Sequence, residues 1–188
     1  MDDLLDIFAR LEGAPGPTAL ATLLKGSGAG SARIGARLIL KAAEGAPGTE
    51  LEATVQDVVV GGEAQVLAGE FGPEWGAWQG AVEVLVERMV PGKLPPWLHF
   101  CSQVLRRGGN CVLATVGEVE GGAPYALGDR FAYDERNHGL LPMDARLSLD
   151  LQRACQAVRE TGQPAWRRFD LPCGALGVGL EPIASPLP

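Results

Sequence analysis

Two histidines, His99 and His138, and four cysteines with no Cys-x-x-Cys pair among them deny the chain the ligand spacing of a structural zinc site. Basic residues are scarce as well. Lys and Arg number 16 against 23 Asp and Glu, a net charge of −7, so the clustered cations that release counterions from a phosphate backbone are absent and nucleic acid is not an expected partner. Only Trp166-Arg167-Arg168-Phe169 interleaves basic and aromatic residues, which reads as a solvated strand face with its rings turned inward. No apolar run approaches the roughly 18 residues that a membrane span needs. The start, Met1-Asp2-Asp3, is acidic where a secretory signal is basic, so the expected location is the cytoplasm, with reduced thiols and no membrane partner. Ser-His-Asp ordering, paired carboxylates, HExxH and a Walker loop are all missing, which leaves hydrolase and phosphoryl-transfer chemistry without support.

What the chain does have is glycine (26) and proline (14), set in a composition that is 46% hydrophobic. That combination predicts a real core built from short elements joined by tight turns, not long helices. With 188 residues it suits one large domain or two small ones.

Leu4, Phe8 and Leu11 recur at helical spacing behind Asp2 or Asp3 as a cap, and Gly13 and Pro15 stop the helix. A strand is predicted over 18–24, a glycine-rich turn over 25–35 and a second strand over 36–41. Thr49-Glu50-Leu51-Glu52 has the form of a capping box, followed by Leu51, Val55 and Val58 on one helix face and a stop at Gly61-Gly62. Strands follow over 63–68 and 81–87, the latter with Val82, Val84 and Val86 on one side.

The proline-rich stretch 91–96 reads as a linker, and then a similar succession begins again. Pro96 suits a first helical turn, with Trp97, Cys101, Val104 and Leu105 as an apolar stripe and Gly108-Gly109 as the stop. A strand over 111–116 and a loop over 120–128 lead into a strand over 129–133. A polar turn around Asn137-His138-Gly139 precedes the clearest helix, capped by Asp144, with Leu147, Leu151, Ala154, Cys155 and Val158 on one face and Gly162 at its end. Strands over 165–171 and 175–180 flank Cys173-Gly174.

The two rounds align. Ala19 falls on Val112 and Gly35 on Gly128 at an offset of 93, and Gly80 falls on Gly174 and Glu87 on Glu181 at an offset of 94. The expectation is an α+β fold with mixed sheets and short helices, a single domain over 1–188 made of pseudo-repeats 1–90 and 95–188.

Within that frame Cys101 and Cys155 belong to apolar stripes, and packing accounts for them. Cys173 stands apart, because the same place in the first round is Gln79-Gly80, so the scaffold does not require a thiol there. Gly26, Gly28 and Gly30 could form an anion nest, but a strand and not a helix follows them, which favours a plain inter-strand loop.

The segments ATVGEVEGGAPYALGDRF, GLLPMDARLSLDLQRACQAV and RRFDLPCGALGVGLEP, and more faintly ALATLLKGSGAGSARIGARLIL, TELEATV and GAVEVLVE, resemble the N-terminal region of the XdhC/CoxI family, the xanthine dehydrogenase accessory proteins. The likeness runs over nearly the whole chain through short motifs of common residues. Members of that family are similar in binding molybdenum cofactor (molybdopterin) and in helping to sulfurate and insert it. The resemblance implies a cofactor-binding set of Cys173, Gly174, Gly121, Gly122, Gly128 and Arg130, with no catalytic residue and no metal-ligand set. The family's Gly-Ser-Ala-Pro turn corresponds to Gly121-Gly122-Ala123-Pro124, closed by Gly128, and its Cys-Gly-Gly turn to Cys173-Gly174-Ala175. Its Gly-Gly-Cys-hydrophobic-Glu turn falls on Gly48-Thr49-Glu50-Leu51-Glu52, where the cysteine is absent; the resemblance covers the family's N-terminal region, and the Rossmann domain that follows it in the family is not expected within residues 1–188.

The function this implies is an accessory or insertion protein that carries molybdenum cofactor to a molybdenum hydroxylase such as a xanthine dehydrogenase. Its expected partners are that hydroxylase or a cofactor-sulfurating enzyme, and a homodimer is compatible with it. Two alternatives stand beside it. One is a non-catalytic interaction module that keeps the fold and has lost the cofactor site; the other is an enzyme using Cys173 as nucleophile or sulfur carrier, with Arg130 or His138 as the activating neighbour.

Overall fold

The computed structural model describes residues 4–26, 34–42, 49–71, 80–134, 136 and 139–185. The chain divides into two compact units, Met1–Pro95 and Pro96–Pro188. Among the described residues there are four helices and two antiparallel sheets, so the fold is α+β.

The first unit contains α1 (Leu4–Glu12), β1 (Thr18–Gly26), β2 (Arg37–Leu40), α2 (Glu50–Gly61), β3 (Gln65–Phe71) and β4 (Gly80–Met89). Its sheet runs β2-β1-β4-β3. In α1 the buried face is Leu4, Ile7 and Leu11, so Leu4 and Leu11 lie inward as expected while Ile7 takes the place of Phe8, which is only half-buried. The capping box of α2 forms as its sequence predicts: Glu52 N–H donates to Thr49 Oγ1 at 3.2 Å and Thr49 N–H to Glu52 Oε2 at 3.0 Å. Gly62, at φ 88°, ends the helix by donating to the Val58 carbonyl. Leu51, Val55 and Val58 then pack on Ala19, Ala21, Leu23, Val82, Val84 and Val86, one face of the sheet.

The second unit contains α3 (Pro96–Arg106), β5 (Cys111–Gly121), β6 (Arg130–Asp134), β7 (Gly139–Leu140), α4 (Ala145–Thr161), β8 (Ala165–Leu171) and β9 (Gly174–Ile183). Its sheet runs β7-β6-β5-β9-β8. The predicted polar turn around Gly139 therefore includes a short edge strand, while Asn137 and His138 lie outside the described residues. Asp144 caps α4 by accepting from Leu147 N–H at 2.7 Å, and Leu147, Leu151, Cys155 and Val158 cover Val112, Ala114, Val116, Leu176, Val178 and Leu180. Each fully buried Leu or Val side chain among them contributes about 1.5–3 kcal/mol of transfer free energy.

Every described ladder is antiparallel, where mixed pairing was expected. The cause lies in connections and lengths. β8 and β9 are joined by only two residues, which cannot carry a parallel crossover, and β1 and β5 each lie between two strands that run back along them.

β5 is also longer than the alternation suggests. A register shift between Val116 and Glu118 inserts one residue, so Val112, Ala114 and Val116 share the α4 face with Val119. Residues 117–121, expected to lead into a loop, instead pair with β9 as far as Gly121 opposite Gly174.

Candidate functional site

The end of that long ladder is where four of the six expected site residues meet. Pro172 and Cys173 form the two-residue turn between β8 and β9, with Leu171 paired to Gly174. Gly121 is paired to Gly174, and Gly122 N–H donates to the Cys173 carbonyl at 2.7 Å. The turn of one hairpin is thus pinned by the tip of the neighbouring strand.

Both glycines of the pair are required by the approach. Gly121 has φ 66°, and a Cβ there would stand 2.8 Å from the Cys173 carbonyl oxygen. A Cβ on Gly174 would collide with the Glu120 carbonyl oxygen. The sequence places glycine where two backbones cross, and the crossing fixes the position of Cys173.

Cys173 is exposed, whereas Cys101, Cys111 and Cys155 are buried. Burial pushes the Cys155 thiol up to about 12, partly offset by Arg159, so it stays protonated and unreactive.

A charged cluster flanks the turn. The Arg168 guanidinium grips the Glu120 carboxylate with both ends, Nη1 to Oε1 at 2.5 Å and Nη2 to Oε2 at 2.7 Å, and its Nε donates to Asp170 Oδ1 at 3.2 Å. The hydrogen bond from Arg168 holds Glu120 below the usual carboxylate range, and the same bonds raise the arginine. Arg168 and Glu120 lie on strands separated by β9, where Arg168 is paired to Gly177 and Glu120 to Ala175, and a Cβ on Gly177 would stand 2.6 Å from Trp166 Cζ2. Arg146, Leu147 and Asp150 of α4 and residues 168–171 of β8 line a cleft of about 330 Å³.

Arg168 and Glu120 were not singled out from the sequence as site residues. The signal that could have found them is the two-residue turn at 172–173, which sets the β8–β9 register and hence places Arg168 opposite Gly177.

Gly128 and Arg130 are not part of this meeting point. Gly128, at φ 86°, donates to the Val116 carbonyl at 2.9 Å, and Arg130 stands opposite Thr115. That is six residues, about 20 Å of strand, from Gly121. The Arg130 side chain is 8% exposed, donates to Thr115 Oγ1 at 3.2 Å and lies 4.3 Å from the Trp97 ring centre. It packs between strand and helix as a cation on an aromatic face. The glycine-rich turn at residues 27–33, the Gln79 counterpart of Cys173, Gly48 and His138 all lie outside the described residues.

No family model matches the chain, and no curated protein matches its sequence. Its fold is similar to that of a crystal structure described as a xanthine dehydrogenase from Bacillus halodurans, with a TM-score of 0.60 and 15% identity over 97% of this chain. The chain spans 50% of that protein's length.

Proposed function

We propose that this chain is an accessory protein of the XdhC/CoxI type, which holds molybdenum cofactor at the Cys173 hairpin and hands it to a molybdenum hydroxylase such as a xanthine dehydrogenase. The observation that carries this reading is the convergence of Gly121, Gly122, Cys173 and Gly174, the residues its two family-like turns contribute, on one strand crossing. The fold similarity to a protein described as a xanthine dehydrogenase supports the molybdenum association. A duplicated origin is part of the same proposal, supported by the aligned motifs and by the strand order β2-β1-β4-β3 beside β6-β5-β9-β8.

The residues at the hairpin suit such a group in kind. A thiol at an exposed turn offers the soft sulfur that molybdenum accepts, and Arg146 and Arg168 in the adjoining cleft offer cations to an anionic tail. Bound cofactor would supply the redox-active molybdenum centre of the recipient enzyme. This chain's own task is to present Cys173 in a fixed place and release its cargo. An acidic surface and an exposed site fit transfer better than turnover.

The assay is transfer. The chain is loaded with molybdenum cofactor and mixed with cofactor-free hydroxylase; the hydroxylase should regain activity faster than with free cofactor, and Cys173→Ser should remove the gain. Equal recovery with and without the chain would refute the proposal. One observation favours the interaction-module reading instead: Glu120 and Asp170 neutralise Arg168, the guanidinium on the strand leading to the thiol. A pull-down that recovers the hydroxylase equally with Cys173→Ser, from a chain that takes up no cofactor, would select that reading.

A further inference from the structure

At the other end of the second unit's sheet, α3 closes against the start of β5 and the end of β6. The helix ends in a Schellman arrangement: Gly108, at φ 73°, donates to the Leu105 carbonyl at 3.0 Å and Gly109 to the Val104 carbonyl at 3.1 Å. Ser185 Oγ adds a second bond to the Leu105 carbonyl at 3.0 Å. The negative end of the helix is therefore largely satisfied by the chain's own donors.

Beside it opens a cleft of about 420 Å³, lined by Val104, Arg107, Gly108, Gly109, Asn110, Asp134 and Arg136. Its volume falls within the roughly 300–1,000 Å³ of small-molecule sites. Among the described residues neither Arg107 nor Arg136 has a carboxylate partner, although acids outnumber bases in the chain by 23 to 16. Two exposed guanidiniums facing one cleft in an acidic protein repel each other unless an anion sits between them. Arg159 Nη1 is already used, donating to the Asp134 carbonyl at 3.2 Å. The Asp134 carboxylate accepts from Arg136 N–H at 2.9 Å, which fixes the turn that carries Arg136.

We propose that this cleft binds the phosphate of a small phosphate monoester, with Arg107 and Arg136 as its two clamps. A dianionic phosphate can engage both guanidiniums, which a single carboxylate does less well. The space left beside the phosphate, next to the Asp134 carboxylate and Asn110, suits a hydroxyl-bearing group such as a sugar. The cleft lies at Asn110, before the start of β5, while the Cys173 turn is pinned at Gly122 beyond its end, twelve residues or about 40 Å of strand apart. It is a separate site and does not rest on the reading given to Cys173.

Isothermal titration of the full chain with ribose 5-phosphate at low ionic strength tests it, with ribose and acetate as controls. Saturable binding is expected for ribose 5-phosphate and neither control. A charge-assisted bond is worth about 1.5–3 kcal/mol, so Arg107→Gln and Arg136→Gln should each weaken binding about tenfold or more, while Cys173→Ser leaves it unchanged. Both arginines are exposed, so the variants should melt as the parent does. Absence of saturable binding, equal binding of acetate, or unchanged affinity in both variants would overturn the proposal.

Discussion

Gly121, Gly122, Cys173 and Gly174 are ordinary residues whose meaning comes from one another. A Cβ on Gly174 would occupy the place of the Glu120 carbonyl oxygen, so Gly174→Ala must part β5 from β9 at their shared end. That should cost about 1–3 kcal/mol, read as a lower urea midpoint with little change in slope. Glu120 makes a different prediction. Its carboxyl is held below the ordinary value of 4.5, first by the Arg168 hydrogen bond, so its contribution to stability is complete above that value and is lost as pH falls through the lower folded pKa. The pair is exposed and its contribution small. Stability of Glu120→Gln should fall short of the parent's at pH 6 and converge with it as acid protonates Glu120 in the folded parent, measured by urea unfolding at each pH. The glycines and Cys173 were legible because turn motifs are local. Their meeting was half legible, since it depends on a ladder between β5 and β9 that spans more than fifty residues of sequence.

Helices were read more accurately than strands, for a physical reason. Capping chemistry is local, and the Thr49 box and the Asp144 cap both form where the sequence puts them. Asp144→Ala should therefore cost about 1 kcal/mol, the usual worth of an N-cap, and Asp144→Ser should restore most of it; thermal or urea unfolding measures both. Strand ends have no such local mark. In β5 the bulge at Val116 to Glu118 shifts the side-chain phase, so Val119 returns to the α4 face one residue late and the alternation looks as if it stops. The glycines at 121, 122 and 174 reinforced that impression, since glycine is common in loops and rare inside strands. Phe8 gave way to Ile7 in α1 for a simpler reason, because both fit an apolar stripe and only packing chooses between them.

Across the whole molecule, composition set useful limits, since an acidic chain with two histidines and no Cys-x-x-Cys pair offers no zinc spacing. No helix among the described residues is long and apolar enough to cross a membrane. The two units each pair a sheet with helices, and the second carries both the Cys173 crossing and, at the far end of β5, the arginine cleft. Arg130, expected in one set with the cysteine, stands opposite Thr115, because the resemblance aligns motifs along the chain without the strand length between them; its guanidinium contacts Thr115 and Trp97. The central proposal is that the exposed thiol at the glycine crossing holds the cofactor. The direct measurement is equilibrium binding of molybdopterin to the purified chain and to Cys173→Ser, followed by cofactor fluorescence after gel filtration. The account predicts near-stoichiometric retention by the parent and at least about tenfold weaker retention by a folded Cys173→Ser chain, the loss of one strong ligand contact. Retention unchanged by the substitution, or none by the parent, would contradict it.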